Sequence, residues 1–124
     1  MKAGLFSIHK WKMRFICALQ GVLVFCRSEH NAIIYSLSTI TVFIASVMMG
    51  VTKNESVALV IVIGFVWVSE LFNTAIERLA DMITLKTDPR IKNIKDVAAG
   101  AVLLSVVAAL ITGLLIFIPK FHCL

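Results

Sequence analysis

Three apolar runs separated by short polar segments dominate the sequence. The first run, 32–51, has about 20 residues without a charge, enough for an α-helix to cross a hydrocarbon core of about 30 Å. The second, 56–68, has only about 13 residues, or about 20 Å of helix, so a helix that crosses there must continue into the polar residues that follow. The third covers 97–118. The pattern predicts an all-α integral membrane protein with transmembrane helices at 32–51, 56–83 and 97–118.

The residues before these runs follow a different pattern. On a helical wheel, 1–28 places most apolar side chains on one broad side and most basic side chains on the other, with Lys12 as an exception. This pattern predicts an amphipathic helix that lies in the membrane interface, and its interrupting charges are not typical of a signal peptide. Later in the chain, Asp88-Pro89 ends the second span, because the residue before a proline disfavours the α conformation. We expect a basic loop from there to Asp96.

A polar stripe continues the second apolar run. Glu70, Asn73, Glu77 and Asp81 follow one another at spacings that put them within about 80° of arc on a helix, at about 100° per residue. Solvation of a helix as it leaves the membrane would not keep all four on one face. Polar groups near hydrocarbon are costly and usually functional. We expect Glu70 just inside the hydrocarbon boundary, with Glu77 and Asp81 in the headgroup layer, near the depth of a lipid hydroxyl.

Composition agrees with a single membrane domain, 1–124, and the distribution of charge predicts its orientation. Hydrophobic residues make up 60% of the chain, too many for an ordinary soluble domain. Five basic residues precede position 31 and four lie in 84–96, whereas Lys53 and Lys120 stand alone in the other polar segments. Because basic segments stay in the cytoplasm, the N-terminus and 84–96 are predicted inside and the C-terminus outside. No nucleic-acid recognition module is visible, so no nucleic-acid partner is expected.

This topology predicts a polar site at the cytoplasmic edge of the membrane. Its members are Glu29, Glu70, Asn73, Glu77, Asp81, Lys95 and Asp96. Clustered carboxylates repel one another unless a proton or a cation joins them, and Mg²⁺ prefers such oxygen ligands together with substrate phosphates. Lys95, at the head of the third span, could hold phosphate oxygens, and a carboxylate could take a proton from a lipid hydroxyl. These parts suggest phosphoryl transfer from a nucleotide to a membrane lipid, in a site built on helices because no Walker-type loop is present.

Two blocks of the sequence carry a family resemblance. The stretch from Glu70 through Asn73 and Glu77 to Asp81 (Glu-Leu-Phe-Asn-Thr-Ala-Ile-Glu, then Asp) resembles the signature of prokaryotic diacylglycerol kinases. The later block Lys-Asp-Val-Ala-Ala-Gly, which begins at Lys95, resembles a second block of the same family. Chain length, three spans and an amphipathic start are similar too. The family includes undecaprenol kinases, and the sequence pattern of 88–96 resembles theirs. The choice of lipid stays open.

The resemblance implies a homotrimeric kinase of the bacterial inner membrane, with active sites between subunits on the cytoplasmic side. With ATP and Mg²⁺, it would convert diacylglycerol to phosphatidic acid or undecaprenol to undecaprenyl phosphate. Glu70 would be the catalytic base that contacts the lipid hydroxyl, and Glu29 and Glu77 would bind magnesium. Asn73 and Asp81 would support the site. The nucleotide-binding residues would be Lys10, Glu29, Glu77, Lys95 and Asp96.

Two other classes of protein fit parts of the pattern. A small ion-coupled transporter also uses membrane carboxylates, but we would expect an acidic residue within its first span, and 32–51 contains none. A non-catalytic membrane scaffold would need neither the polar stripe nor the pair Lys95-Asp96.

Overall fold

The computed structural model describes residues 8–123, which form long helices joined by short turns. The helices are α1 (Ile8–Ser28), α2 (His30–Met49), α3 (Lys53–Ile83) and α4 (Pro89–His122). Each of α2, α3 and α4 is long and apolar enough to cross a membrane. The predicted all-α fold with three membrane-crossing helices is therefore confirmed, and α1 occupies most of the predicted interfacial segment. Residues 1–7 of that segment lie outside the described part.

The chain divides into two compact units between Ile34 and Tyr35. The first unit contains α1 and the first turn of α2. At the junction of these helices the Glu29 N–H donates to the Phe25 carbonyl at 3.0 Å, and the Glu29 carbonyl accepts from the Ala32 N–H at 3.2 Å. The second unit contains the rest of α2 together with α3 and α4, and it holds most of the predicted site residues.

The turn between α2 and α3 is shorter than the sequence suggests. Gly50 ends α2 in a left-handed conformation, with φ of 61°, which a residue without Cβ adopts at no steric cost. Thr52 then caps α3: its hydroxyl accepts from the Glu55 N–H, and the Glu55 carboxylate accepts from the Thr52 N–H at 2.7 Å. This capping box satisfies two backbone donors at the start of the helix. As a result α3 begins at Lys53, three residues before the predicted start of the second span at position 56.

The connection between α3 and α4 corrects one prediction. The sequence suggested a basic loop up to Asp96, but α4 begins at Pro89 with Asp88 as its N-cap. Proline suits this first helical position, since its missing N–H would have no partner there. The Asp88 carboxylate accepts from the side chain and from the backbone N–H of Arg90, and these hydrogen bonds lower the pKa of Asp88. Lys95 therefore lies in the second turn of α4, not at the head of the helix.

The C-terminal end of α4 gives a second correction. The sequence predicted that the last span stops at Pro119, but the helix continues to His122. A proline this close to the end removes one hydrogen bond in the final turns, and Lys120 and Phe121 carbonyls still accept from the Cys123 N–H. The extra turn carries Lys120 to Glu55 at the start of α3, where the two side chains form an ion pair of 3.0 Å.

Helices α3 and α4 form an antiparallel hairpin with an ion pair near each end. Lys120 pairs with Glu55 near the α2–α3 turn, and Lys95 pairs with Asp81 near the α3–α4 connection at 2.9 Å. The 26 positions from Glu55 to Asp81 correspond to about 39 Å of helix at about 1.5 Å per residue. This length exceeds a hydrocarbon core of about 30 Å, so the Asp81 end of the hairpin extends into a headgroup layer. Between the two ion pairs, small buried side chains such as Ala80, Ala98 and Ser105 fill the core.

Candidate active site

Glu70 is the most buried carboxylate among the described residues. Its side chain lies on α3 and the residue is only 3% exposed, although large apolar side chains nearby, such as Phe65 and Phe72, face outward. The Glu70 Oε2 accepts a hydrogen bond from the Tyr35 hydroxyl of α2 at 3.3 Å. A buried carboxylate needs such a partner, because an unpaired charge away from water is costly. The Glu70 side chain therefore faces inward and is restrained by the hydrogen bond from Tyr35.

One turn further along α3, Asn73 and Glu77 interact on the same face. The Asn73 Nδ2 donates to the Glu77 Oε1 at 3.3 Å. Asn73 is 8% exposed, and its Oδ1 is buried without a hydrogen-bond partner. An unsatisfied buried oxygen is uncommon in native proteins and often marks a position where a ligand or ion belongs. The carboxylate of Glu77 and the carbonyl oxygen of Asn73 thus form a pair of neighbouring oxygen donors.

The far end of the polar stripe faces a charged cavity. Asp81 and Lys95 line a cavity of about 550 Å³, together with Lys86, Lys92 and Asp96 from the α3–α4 connection and the start of α4. The Lys95 Nζ donates to the Asp81 Oδ1 at 2.9 Å. This volume is within the range of about 300–1,000 Å³ that is typical of small-molecule sites. Three of the predicted site residues therefore share one cavity.

Lys92 is a member of this cavity that the sequence analysis did not single out. Its Nζ forms an ion pair with the Asp96 carboxylate one turn later on α4. Lys92 and Lys95 lie three positions apart, so both project toward the same side of the helix. The i to i+4 spacing of Lys92 and Asp96 would have revealed the pair, had the segment been predicted as helix.

The remaining predicted site residues belong to the first unit. Lys10 lies on α1 and is exposed, and Glu29 lies at the junction between α1 and α2, half-buried. Their predicted roles with nucleotide and metal stay predictions.

Tyr35 is the second residue that the sequence analysis missed. A signal was available: Tyr35 lies 17 residues before Thr52 and Glu70 lies 18 residues after it. In an antiparallel hairpin turning at Thr52, these two positions have nearly equal depth. The same rule pairs Thr39 with Trp67, whose Nε1 donates to the Thr39 Oγ1 at 3.0 Å.

Comparison with known proteins identifies the family to which the chain belongs. Residues 16–117 match the sequence model of prokaryotic diacylglycerol kinase, a range that includes the stripe and the Lys95-Asp96 block. The chain is 35% identical over 114 residues to undecaprenol kinase of Bacillus subtilis, which covers 92% of this chain and 93% of that protein. It is 30% identical over 106 residues to a diacylglycerol kinase of Synechocystis, which covers 85% of this chain and 61% of that protein. Because the match extends over most of the chain, the protein belongs to the prokaryotic diacylglycerol kinase family and is a lipid kinase.

Proposed function

We propose that the protein transfers the γ-phosphate of ATP to the hydroxyl of a membrane lipid, with Glu70 as the catalytic base. One observation carries the proposal: a single helix face connects the buried carboxylate of Glu70 to the charged cavity at Asp81 and Lys95. The lipid hydroxyl comes from the membrane and the nucleotide phosphate comes from water. An active site that joins them therefore needs an apolar end for the lipid and a charged end for the nucleotide.

The depth of Glu70 supports its role at the lipid end. Counted from Glu55, a hydrocarbon core of about 30 Å corresponds to about 20 residues of helix and ends near position 75. On this count Glu70 lies about 7 Å inside the boundary, within reach of a hydroxyl at the headgroup level. The carboxylate would take the hydroxyl proton while the lipid oxygen forms a bond to the γ-phosphorus and the bond to the departing ADP oxygen breaks.

The cavity beside Asp81 supports nucleotide binding. Lys95 would donate hydrogen bonds to phosphate oxygens, and Asp81 holds its ammonium group in place before the nucleotide arrives. Lys86 and Lys92 line the same cavity, with Lys92 paired to Asp96, and Asp96 would contact the nucleotide there. We propose Lys10 and Glu29 as further nucleotide ligands, because the family resemblance implies these roles.

The residues near Glu77 fit a magnesium ion that accompanies ATP. Mg²⁺ is usually bound by one or two carboxylates plus substrate phosphates, and it would neutralise charge on the transferred phosphoryl group. Within residues 8–123 no three His, Cys, Asp or Glu side chains gather into a metal site. Glu77 would supply a carboxylate oxygen, and the unpaired Oδ1 of Asn73 is a suitable neighbouring oxygen. Glu29 is the second proposed carboxylate.

The proposed assembly is a homotrimer in the bacterial inner membrane, with the cavity on the cytoplasmic side. The basic residues of 84–96 support this orientation. Mixing two inactive variants, Glu70→Gln and Lys95→Met, tests whether a site is completed between subunits. Mixed trimers should recover activity if one chain supplies Glu70 and another supplies Lys95, and no recovery would favour sites within one chain.

Undecaprenol is the first proposed lipid, because the relative that matches nearly end to end carries the name undecaprenol kinase. Diacylglycerol is the second, from the name of the Synechocystis relative. Offering both lipids side by side, with labelled ATP and purified protein in mixed micelles, decides between them. Transfer to neither lipid would contradict both assignments.

The same assay tests the catalytic base. Glu70→Gln should abolish transfer while the helical content stays the same, and removal of Mg²⁺ with EDTA should stop the reaction reversibly. Glu55→Gln is the matched control, since it makes the same change on the same helix about 22 Å away. Near-normal turnover in Glu70→Gln would remove Glu70 from the role of base.

A further inference from the structure

A single tyrosine lies against the proposed catalytic base. Tyr35 is the only tyrosine of the chain and stands near the start of the apolar run of α2. Its hydroxyl donates to the Glu70 Oε2 at 3.3 Å, and Tyr35 is half-buried. A tyrosine at the edge of a membrane helix commonly anchors the helix by pointing its hydroxyl to the headgroups. Here the hydroxyl points to a buried carboxylate on the next helix, so anchoring does not explain its position.

The tyrosine ring is itself held by neighbouring side chains. The rings of Tyr35 and Trp67 are tilted by 58° with centroids 6.2 Å apart, a favourable geometry for an aromatic pair. The indole of Trp67 donates to the Thr39 hydroxyl, which in turn donates to the Tyr35 carbonyl at 2.7 Å. Trp67 precedes Glu70 by three positions on α3 and so lies on the same helix face. These contacts connect Tyr35, Trp67 and Thr39 in a closed ring between α2 and α3. The Tyr35 hydroxyl extends from this ring to the Glu70 carboxylate.

We propose that Tyr35 is a positioning residue that sets the orientation of the Glu70 carboxylate toward the lipid hydroxyl. A glutamate side chain has three rotatable bonds, and proton transfer requires a defined carboxylate geometry within hydrogen-bond reach of the reacting hydroxyl. A hydrogen bond from a ring locked by Trp67 restricts those rotations before the lipid binds. Misplacing a catalytic group by about 1 Å can cost about 100-fold in rate. The inference rests on the proposed role of Glu70.

The variant Tyr35→Phe tests the proposal because it removes only the hydroxyl and keeps the ring against Trp67. We expect kcat to fall about 10-fold to 100-fold, with KM for ATP unchanged within about twofold. Thr41→Val is the matched control, since Thr41 lies on the same helix and its exposed hydroxyl donates only to its own helix at the Leu37 carbonyl. The control should keep wild-type kinetics. Equal kcat values for Tyr35→Phe and the wild type would overturn the proposal, as would a rise in KM for ATP that accounts for the whole loss.

A second measurement does not depend on activity. Because the chain has one tyrosine, growth with 3-fluorotyrosine gives a protein with a single fluorine label on that side chain. Its ¹⁹F resonance should move in Glu70→Ala, where the hydrogen-bond acceptor is lost, and stay in place in Glu55→Gln at the other end of α3. An unmoved resonance in Glu70→Ala would show that the hydrogen bond does not exist. If Glu70→Gln is inactive while Tyr35→Phe is fully active, the base assignment survives and only the role of Tyr35 falls.

Discussion

Replacing Asn73 by leucine should separate stability from function in this protein. Leucine has the same side-chain branching as asparagine, although its methyl groups are bulkier, and it removes both polar atoms of a residue that is 8% exposed. In the wild type, the Asn73 Oδ1 is buried without a partner, and the Nδ2 makes one long hydrogen bond of 3.3 Å to Glu77. The substitution therefore removes one unfavourable and one weakly favourable feature at the same time.

The expected change in the free energy of unfolding follows from these two contributions. A buried polar atom without a partner costs about 1–3 kcal/mol, and leucine removes this cost. A hydrogen bond to a charged group contributes about 1.5–3 kcal/mol at good geometry, and less here because the distance is long and Glu77 is only half-buried. Fitting the bulkier leucine adds a cost of about 1 kcal/mol, so the variant should lie between about 2 kcal/mol less stable and about 2 kcal/mol more stable than the wild type. Activity should fall about 10-fold to 100-fold, because an oxygen beside the proposed metal ligand is lost.

Two assays on the same purified protein measure both effects. Thermal unfolding in detergent should give a melting temperature close to that of the wild type, and Mg-ATP should no longer raise it. Leu59→Ala is the matched control: Leu59 is buried on the same helix, and its truncation should cost about 2–5 kcal/mol while the folded protein keeps its activity. The reasoning is refuted if Asn73→Leu melts as low as Leu59→Ala, or if it keeps wild-type activity.

Three further predictions concern the ends of the helices. Asp81→Asn should raise KM for ATP about tenfold, because it releases Lys95 from its ion pair, and should change the melting temperature little. The control Arg90→Gln removes an exposed side chain and should leave KM for ATP unchanged. Thr52→Ala removes a helix cap and should cost about 1 kcal/mol of stability without changing kcat below the melting range. The pKa of Asp88 is lowered from its ordinary value of 3.8, so its cap stabilises the folded state above that pH and loses its effect as pH falls through the lower, folded value. The difference in melting temperature between the wild type and Asp88→Asn should therefore shrink below about pH 4 and persist at pH 7; a constant difference across that range would contradict the argument.

Much of the architecture could be predicted because its causes are local. The length of each apolar run and the helical spacing from Glu70 to Asp81 are properties of the chain alone. The start of α4 was predictable as well, since an aspartate followed by proline marks a helix N-terminus. The loop expected there was wrong because the same proline that follows α3 also begins α4.

The partners of the site residues could not be predicted with the same certainty, because they depend on how neighbouring helices are aligned. Lys95 and Asp81 lie seven positions on either side of Asp88, and Lys120 and Glu55 lie 32 and 33 positions away. Both ion pairs follow from one antiparallel alignment, but that alignment is set by packing along the whole of α3 and α4. The contact between Tyr35 and Glu70 depends in the same way on the turn at Thr52.

The pattern of residues is sufficient to identify a helical membrane protein with an acidic stripe on its second span, because apolar length and periodicity act within one segment. Three features come from the packing of the helices: Glu70 is buried against Tyr35, Asn73 has an unpaired oxygen beside Glu77, and Lys95 pairs with Asp81 in a cavity. Each of these facts depends on the relative depth and rotation of two helices. That alignment arises from side-chain packing between residues distant in the chain, which no local pattern specifies.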